Sequence, residues 1–247
     1  MTTNCAGQWV RIDPLDISVT PLTAPEVAEI VANASGKRLL LNHNLHSAYL
    51  HDVDSRFREL YRRATWVIVD GAPILWLTSQ FSTDTFGTSW RVSSTDWLEA
   101  LTRVHSSGRL FIFGATADSN QKAVDVLRGR LTNWAISGVD GYVNDEVAVK
   151  AITDFNPDLV IVGLGMPRQE HFLLRNFDGL PAATYATVGG AIDYVGGSTR
   201  LAPRWLGSLG LEWLWRLLNE PRRLAHRYLI EPVLLLRRVV PRVLRQT

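Results

Sequence analysis

Cysteine is almost missing from this sequence. Cys5 is the single one in 247 residues, which excludes a disulfide scaffold and a thiolate zinc cluster and fits a reducing, cytosolic compartment. The six histidines fall in no H-x-x-x-H or H-E-x-x-H spacing, so no metal site is expected. No apolar run approaches the ~18 to 20 residues of a membrane-spanning helix. The first thirty residues hold no uninterrupted apolar stretch behind a basic start, so no secretory signal is expected either. Internal repeats and low-complexity linkers are also lacking. What is present is core material: 46% of residues are hydrophobic and 20% charged, the balance of a globular chain. The length suits one large or two small domains.

The net charge of +2 hides an uneven distribution. Residues 200–247 carry ten Arg, no Lys and three acids, a net +7, whereas residues 1–199 sum to −5. We therefore expect a body over 1–199 and a basic amphipathic helical appendage over 200–247. Such an appendage suits phosphate, on nucleic acid, a lipid headgroup or a substrate.

Short β-branched runs alternate with amphipathic stretches through the body, the pattern of a parallel sheet flanked by helices. The expected fold class is α/β, Rossmann-like. Strands are predicted over 38–41, 66–69, 110–113, 135–137, 159–162 and 183–188, and helices over 24–33, 46–63, 95–105, 119–131, 145–155 and 168–177. Thr23, Asp118 and Asn144 are the predicted caps. The segment 159–165, LVIVGLG, is apolar on both faces and reads as an interior strand.

Ligands of such sheets sit at the carboxyl ends of the strands. There the sequence collects glycine and small polar residues: Asn42-His43-Asn44, Asp70-Gly71, Gly114, Gly163-Leu164-Gly165-Met166-Pro167 and Gly189-Gly190. The turn at 163–169 places backbone N–H groups at a helix start, where they can face an anion; Arg168 occupies the position of the third glycine of G-x-G-x-x-G, so it is not a dinucleotide fingerprint. It reads as a phosphate or sugar-nucleotide turn, or as a plain strand-to-helix turn. Asp70, at the end of an apolar run, is either a general base or the N-cap of a helix starting at Ala72. Asp52-Val53-Asp54 spells the D-x-D that holds a metal in many glycosyltransferases, but inside a helix it reads as solvated surface. Arg91 ends an irregular Ser/Thr-rich segment, and Arg216, Arg222, Arg223 and Arg227 cluster in the tail, suited to phosphate or to an amphipathic surface.

Taken together, VDGAP at 69–73, WRVSSTD at 90–96, FGATAD at 113–118, DLVIVGLGMPRQE at 158–170, VGGAIDYVGG at 188–197 and RLAPRWLGSLGLEWLWRLLNEPRRL at 200–224 resemble the WecG/TagA/CpsF glycosyltransferase family, in motif order from about residue 20 to 230. The resemblance implies an enzyme that moves a sugar from a UDP-sugar to a membrane-bound polyprenyl-diphosphate saccharide, in bacterial surface polysaccharide or teichoic-acid linkage-unit synthesis. It implies inversion at the anomeric carbon, with neither metal nor other cofactor. By position, Asp70 matches the base, Asn44 a sugar contact, Arg91 a substrate contact, Gln169 a polar contact beside the glycine-rich turn, and Arg216 and Arg223 arginines at the diphosphate. Gly114, Gly163, Gly165, Met166, Pro167, Gly189, Gly190 and Asp193 complete the substrate-binding set. Asn42 stands where many relatives have Thr, a departure that bears on donor identity. The tail matches an appendage that docks on the membrane and closes over the site, which implies a protein peripheral on the inner face of the plasma membrane. Its Trp and Leu also suit self-association into a homo-oligomer when no membrane is present.

Inverting transfer independently needs a base for the acceptor hydroxyl and cations for the departing diphosphate. Two alternatives are an NAD(P)-dependent oxidoreductase, against which stand the missing glycine and the lack of a Tyr-x-x-x-Lys pair, and a non-catalytic module gripping nucleic acid or membrane. The glycosyltransferase reading implies no nucleic-acid partner.

Overall fold

The computed structural model describes residues 8–84, 86–199, 212–219 and 221–244. A small antiparallel hairpin, β1 (Val10–Ile12) and β2 (Ile17–Val19), precedes six parallel strands: β3 (Arg38–His43), β4 (Trp66–Val69), β5 (Gly108–Gly114), β6 (Trp134–Val139), β7 (Leu159–Gly163) and β8 (Thr184–Thr187). Their order is β4-β3-β8-β7-β5-β6. The expected α/β class and parallel sheet are what the chain forms, and β7, predicted as interior, lies between β8 and β5. Beside the edge strand β4, Thr20 N–H donates to Val67 C=O at 2.7 Å, which covers an otherwise open edge.

Helices cover both faces. On one side α1 (Ala24–Asn33), α5 (Ser94–Leu101), α6 (Ala117–Arg130) and α9 (Ala191–Val195) pack Val27, Trp97, Leu101, Val124, Leu127 and Ile192 against Leu40, Ile68, Ile112 and Ile161. On the other, α2 (Leu45–Val53), α3 (Ser55–Arg62), α4 (Ala72–Gln80), α7 (Asp145–Phe155) and α8 (Arg168–Asn176) pack Ala48, Phe57, Leu60, Ile74, Ile152 and Phe172 against Leu41, Val69, Phe113 and Val162. The tail continues as α10 (Glu212–Asn219), α11 (Pro221–Ala225), a π-helical turn (His226–Ile230) and α12 (Glu231–Leu244), whose Leu235 and Val239 enter this second core.

Three local expectations are corrected. The helix predicted over 46–63 is two helices, because Asp54 turns out of helical geometry and its carboxylate caps α3 through the N–H groups of Arg56 and Phe57, at 2.9 and 3.2 Å. The cap of α6 is Thr116, whose Oγ1 accepts from Ser119 N–H at 3.2 Å, while Asp118 lies in the first turn and pairs with Lys122. Asp52 and Asp54 are not solvated surface: the Asp52 side chain is 5% exposed and accepts from Arg238, and Asp54 accepts from His171 Nε2 at 2.7 Å. Thr23 and Asn144 do start α1 and α7, as expected.

Candidate active site

Asp70 directly follows β4, and its N–H donates to His43 C=O at 2.8 Å, so the strand pairing holds the residue at the sheet's carboxyl edge. Gly71 then turns the chain at φ +90° and occupies the cap position of α4, the position the sequence offered to Asp70. The Asp70 carboxylate accepts from Asn44 Nδ2 at 3.2 Å. Asn44 is itself the N-cap of α2: its Oδ1 accepts from Ser47 N–H at 3.0 Å, and its own N–H donates to Ser47 Oγ at 2.7 Å. Committing Oδ1 to the helix fixes the amide orientation, so the Nδ2 hydrogens are the ones that face Asp70. Behind this pair His43 is buried and stacked on Tyr61 at 4.4 Å, and burial holds its imidazole well below the ordinary value, hence neutral.

The middle of the edge is built from β3, β8 and the start of α8. Asn42, 5% exposed, donates through Nδ2 to Thr187 C=O at 3.2 Å. Gln169 is fully buried; its Oε1 accepts from Gly189 N–H at 3.1 Å and its Nε2 donates to Glu170 Oε1 at 2.8 Å. Gln169, the expected polar contact beside the glycine-rich turn, therefore ties the loop after β8 to the helix after β7. Glu170 is fully buried as well, and burial pushes its carboxyl up to about 7. Glu170 Oε2, Asn42 Oδ1 and Thr187 Oγ1 are buried without hydrogen-bond partners.

Gly114 and Gly163 are register partners at the ends of β5 and β7. The chain leaves β5 toward α6 on one face and leaves β7 toward α8 on the other, so these glycines mark the topological switch point, where a crevice opens in doubly wound sheets. A Cβ on Gly114 would stand 2.4 Å from the Gly163 carbonyl oxygen, and one on Gly163 would stand 2.7 Å from the Gly189 oxygen. Gly165 follows at φ +75° with open space around it, then Met166 and a cis bond to Pro167, the cap residue of α8. Not every N–H of that helix start is available to an anion, since Gln169 N–H returns to Gly165 C=O at 3.1 Å. Beside the crevice a cavity of about 170 Å³ lies between α7 and α8, lined by Phe113, Gly141, Leu164, Arg168, His171 and Arg175 among others.

Arg91 is half-buried, and Val92 N–H donates to Val69 C=O at 2.8 Å, which sets Arg91 alongside the end of β4, near Asp70 in the chain path. The adjoining SST motif is explained locally: Ser93 N–H and hydroxyl both donate to Asp96, capping α5 at 2.9 and 2.7 Å. Gly190 caps α9, and Asp193 within it accepts from Ser198 N–H through its main-chain oxygen at 2.9 Å. Residues 200–211 of the predicted tail motif lie outside the described residues, as do the side chains of Arg216 on α10 and Arg223 on α11. Among the described residues no group of three or more His, Cys, Asp or Glu is placed to hold a metal ion, and no helix is long and apolar enough to cross a membrane.

The carboxyl ends of β4, β3, β8, β7 and β5, neighbours in one sheet, thus bring together Asp70, Asn44, Asn42, Gly189, Gly163 and Gly114, with Gln169 reaching in from α8. Sequence reasoning missed Ser47, Glu170 and Thr187. Glu170 lay within a quoted motif and could have been flagged as an acid on the apolar side of an amphipathic helix.

The sequence matches the profile of the glycosyl transferase WecG/TagA/CpsF family over residues 12–247. Among curated relatives, the N-acetylglucosaminyldiphosphoundecaprenol N-acetyl-beta-D-mannosaminyltransferase of Bacillus subtilis (strain 168) is 38% identical over 117 residues, 47% of this chain and 46% of the relative. Its namesakes in Staphylococcus aureus strains MRSA252 and MW2 are 27% identical over 242 residues, covering 91% of both chains. A sheet edge carrying a held carboxylate and a glycine-built crevice, and a match of this extent, lead to one assignment: the chain belongs to the WecG/TagA/CpsF family of glycosyltransferases.

Proposed function

We propose that this glycosyltransferase moves a sugar from a UDP-sugar to a polyprenyl-diphosphate-linked saccharide with inversion and without a metal, and that Asp70 is its base. The observation that carries the reading is the Asp70 carboxylate, held by Asn44 at the carboxyl edge of the sheet. The names of the relatives favour an N-acetylmannosaminyl group as cargo and N-acetylglucosaminyl diphosphoundecaprenol as acceptor. Asp70 takes the proton of the acceptor hydroxyl as its oxygen attacks the anomeric carbon. The bond to the diphosphate breaks on the opposite side, and its electrons leave with UDP. The nucleotide lies over the Gly114–Gly163 crevice, with Gly165, Met166, Pro167, Gly189, Gly190 and Asp193 around it. Arg91, Arg216 and Arg223 offset the charge that grows on the diphosphate.

The body and the appendage divide near residue 200, and the appendage meets an anionic bilayer. Leu229, Val233, Leu236, Val240 and Leu244 follow one another at helical spacing and are exposed, whereas Leu235 and Val239 face the body. The outward stripe, with Arg237 beside it, suits a peripheral helix at a headgroup layer. Neither an oxidoreductase nor a non-catalytic module draws support from the family or the relatives. The test is a panel of UDP-sugars offered with a short-chain lipid diphosphate acceptor and read by UDP release. Turnover with UDP-N-acetylmannosamine is expected; turnover by Asp70→Asn near the wild-type rate removes Asp70 from the base role.

A further inference from the structure

The seam between α12 and α2 carries polar contacts that the chemistry proposed above does not use. Glu231, the first residue of α12, is 6% exposed, and its Oε2 is hydrogen-bonded to Nδ1 of His46, the second residue of α2. Its Oε1 faces His226 Nδ1 at 3.3 Å. Farther along, Arg238 Nη1 donates to Asp52 Oδ2 at 3.2 Å. Between these two polar points Leu235 enters the core, followed by Val239. Glu231, Leu235 and Val239 are spaced by four and so share one face of α12. His46 to Asp52 spans about 9 Å of helix and Glu231 to Arg238 about 10 Å, so the two helices run side by side in the same direction with matched contact points.

A carboxylate in such a seam is costly unless both oxygens find partners. Here they do, and the first partner stands two residues after Asn44, in the helical turn that Asn44 caps. The Asn44 side chain thus meets α2 through Ser47 and Asp70 through its amide.

We infer that Glu231 is a positioning residue: through His46 it fixes the first turn of α2, and so the Asn44 amide that aims the Asp70 carboxylate. The inference rests on the reading of Asp70 as base. It makes the seating of the tail helix a condition for the base to be set, in addition to any contact the tail has with substrate or bilayer.

The experiment uses the full-length chain and compares Glu231→Ala, Glu231→Gln and His46→Ala by steady-state UDP release and by hydrogen exchange over residues 45–53 and 231–244. Glu231→Ala is expected to lower kcat about tenfold with KM for the donor little changed, and to speed exchange in the first turn of α2. Glu231→Gln keeps a carbonyl oxygen for the His46 N–H and should return kcat to within about threefold of wild type. Unchanged kcat in Glu231→Ala, or a loss confined to KM for the lipid acceptor, overturns the proposal, as does unchanged exchange in α2. If Glu231→Ala fails to fold, His46→Ala is read by the same criteria. Failure of the base assignment shows separately, as an active Asp70→Asn, and leaves the exchange result standing or falling by itself.

Discussion

Nδ2 of Asn44 lies 3.2 Å from Oδ2 of Asp70, so the residue that caps α2 also orients the acid that follows β4. The two duties of Asn44 are separable. Serine caps helices about as well as asparagine but has no amide to reach Asp70. Asn44→Ser should therefore melt close to wild type while kcat falls about tenfold or more, whereas Asn44→Ala should lose about 1 kcal/mol of stability as well. Thermal melts beside UDP-release kinetics check this, and equal activity in Asn44→Ser and wild type would show that the amide contributes nothing to turnover.

Glu170 gives the fold a pH dependence of unusual sign for a carboxyl group. Burial raises it from 4.5 to about 7, so the folded chain prefers the protonated form. Its favourable share of stability is complete below about pH 4.5 and is lost as pH rises to about 7, a total of about 3 kcal/mol. Glu170→Gln mimics the protonated state, so it should be nearly neutral at pH 5 and stabilising at pH 8. His51, lowered by burial to about 4, acts oppositely: its contribution is present above about 6.5 and lost as pH falls through 4. Denaturant unfolding of both proteins from pH 5 to 8 tests the point, and a constant difference across that range would contradict it.

The contrast between Glu170 and the strands shows what was legible. β7 could be read because it is apolar on both faces, and α7 because Asn144 offers a cap before Asp145 and Glu146; the left-handed Asn156 that stops α7 is seen only in the structure. The break at Asp54 could not, since the apolar period runs through it and only the carboxylate's bonds to Arg56 and Phe57 reveal the turn. β1 and β2 have three residues each, with polar Arg11 and Ser18 at their centres, too short for alternation to declare a strand. Asp70 was legible as an acid after an apolar run. Its partnership with Asn44 spans 26 residues, and that of His46 with Glu231 spans 185, distances over which no local pattern carries information.

The glycines of the crevice differ in kind. Gly114→Ala would drive a methyl to 2.4 Å from a backbone oxygen at φ +139°, so that variant should be destabilised by several kcal/mol or fail to accumulate as folded protein. Gly165→Ala meets no atom within 4 Å and should cost only about 1 kcal/mol for its φ of +75°. Because Gly165 lies in the proposed nucleotide crevice, its variant should raise KM for the donor while remaining folded. Circular dichroism and donor titration distinguish the two, and an intact, fully active Gly114→Ala would refute the packing account.

The two apolar stripes of α12 should respond to substitution in opposite ways. Leu235 is 4% exposed and Leu236 60%, although they are adjacent in the chain. Leu235→Ala empties a core position and should cost about 2 to 4 kcal/mol, with vesicle affinity following only from loss of fold. Leu236→Glu changes a side chain already in solvent, so stability should stay within about 0.5 kcal/mol. On anionic vesicles the same change removes apolar contact and adds a charge that the surface repels, and binding should weaken about tenfold or more. Sedimentation of the full chain with phosphatidylglycerol vesicles measures this. If Leu236→Glu binds as well as wild type, the outward stripe does not touch lipid, and a second copy of the chain becomes its natural cover.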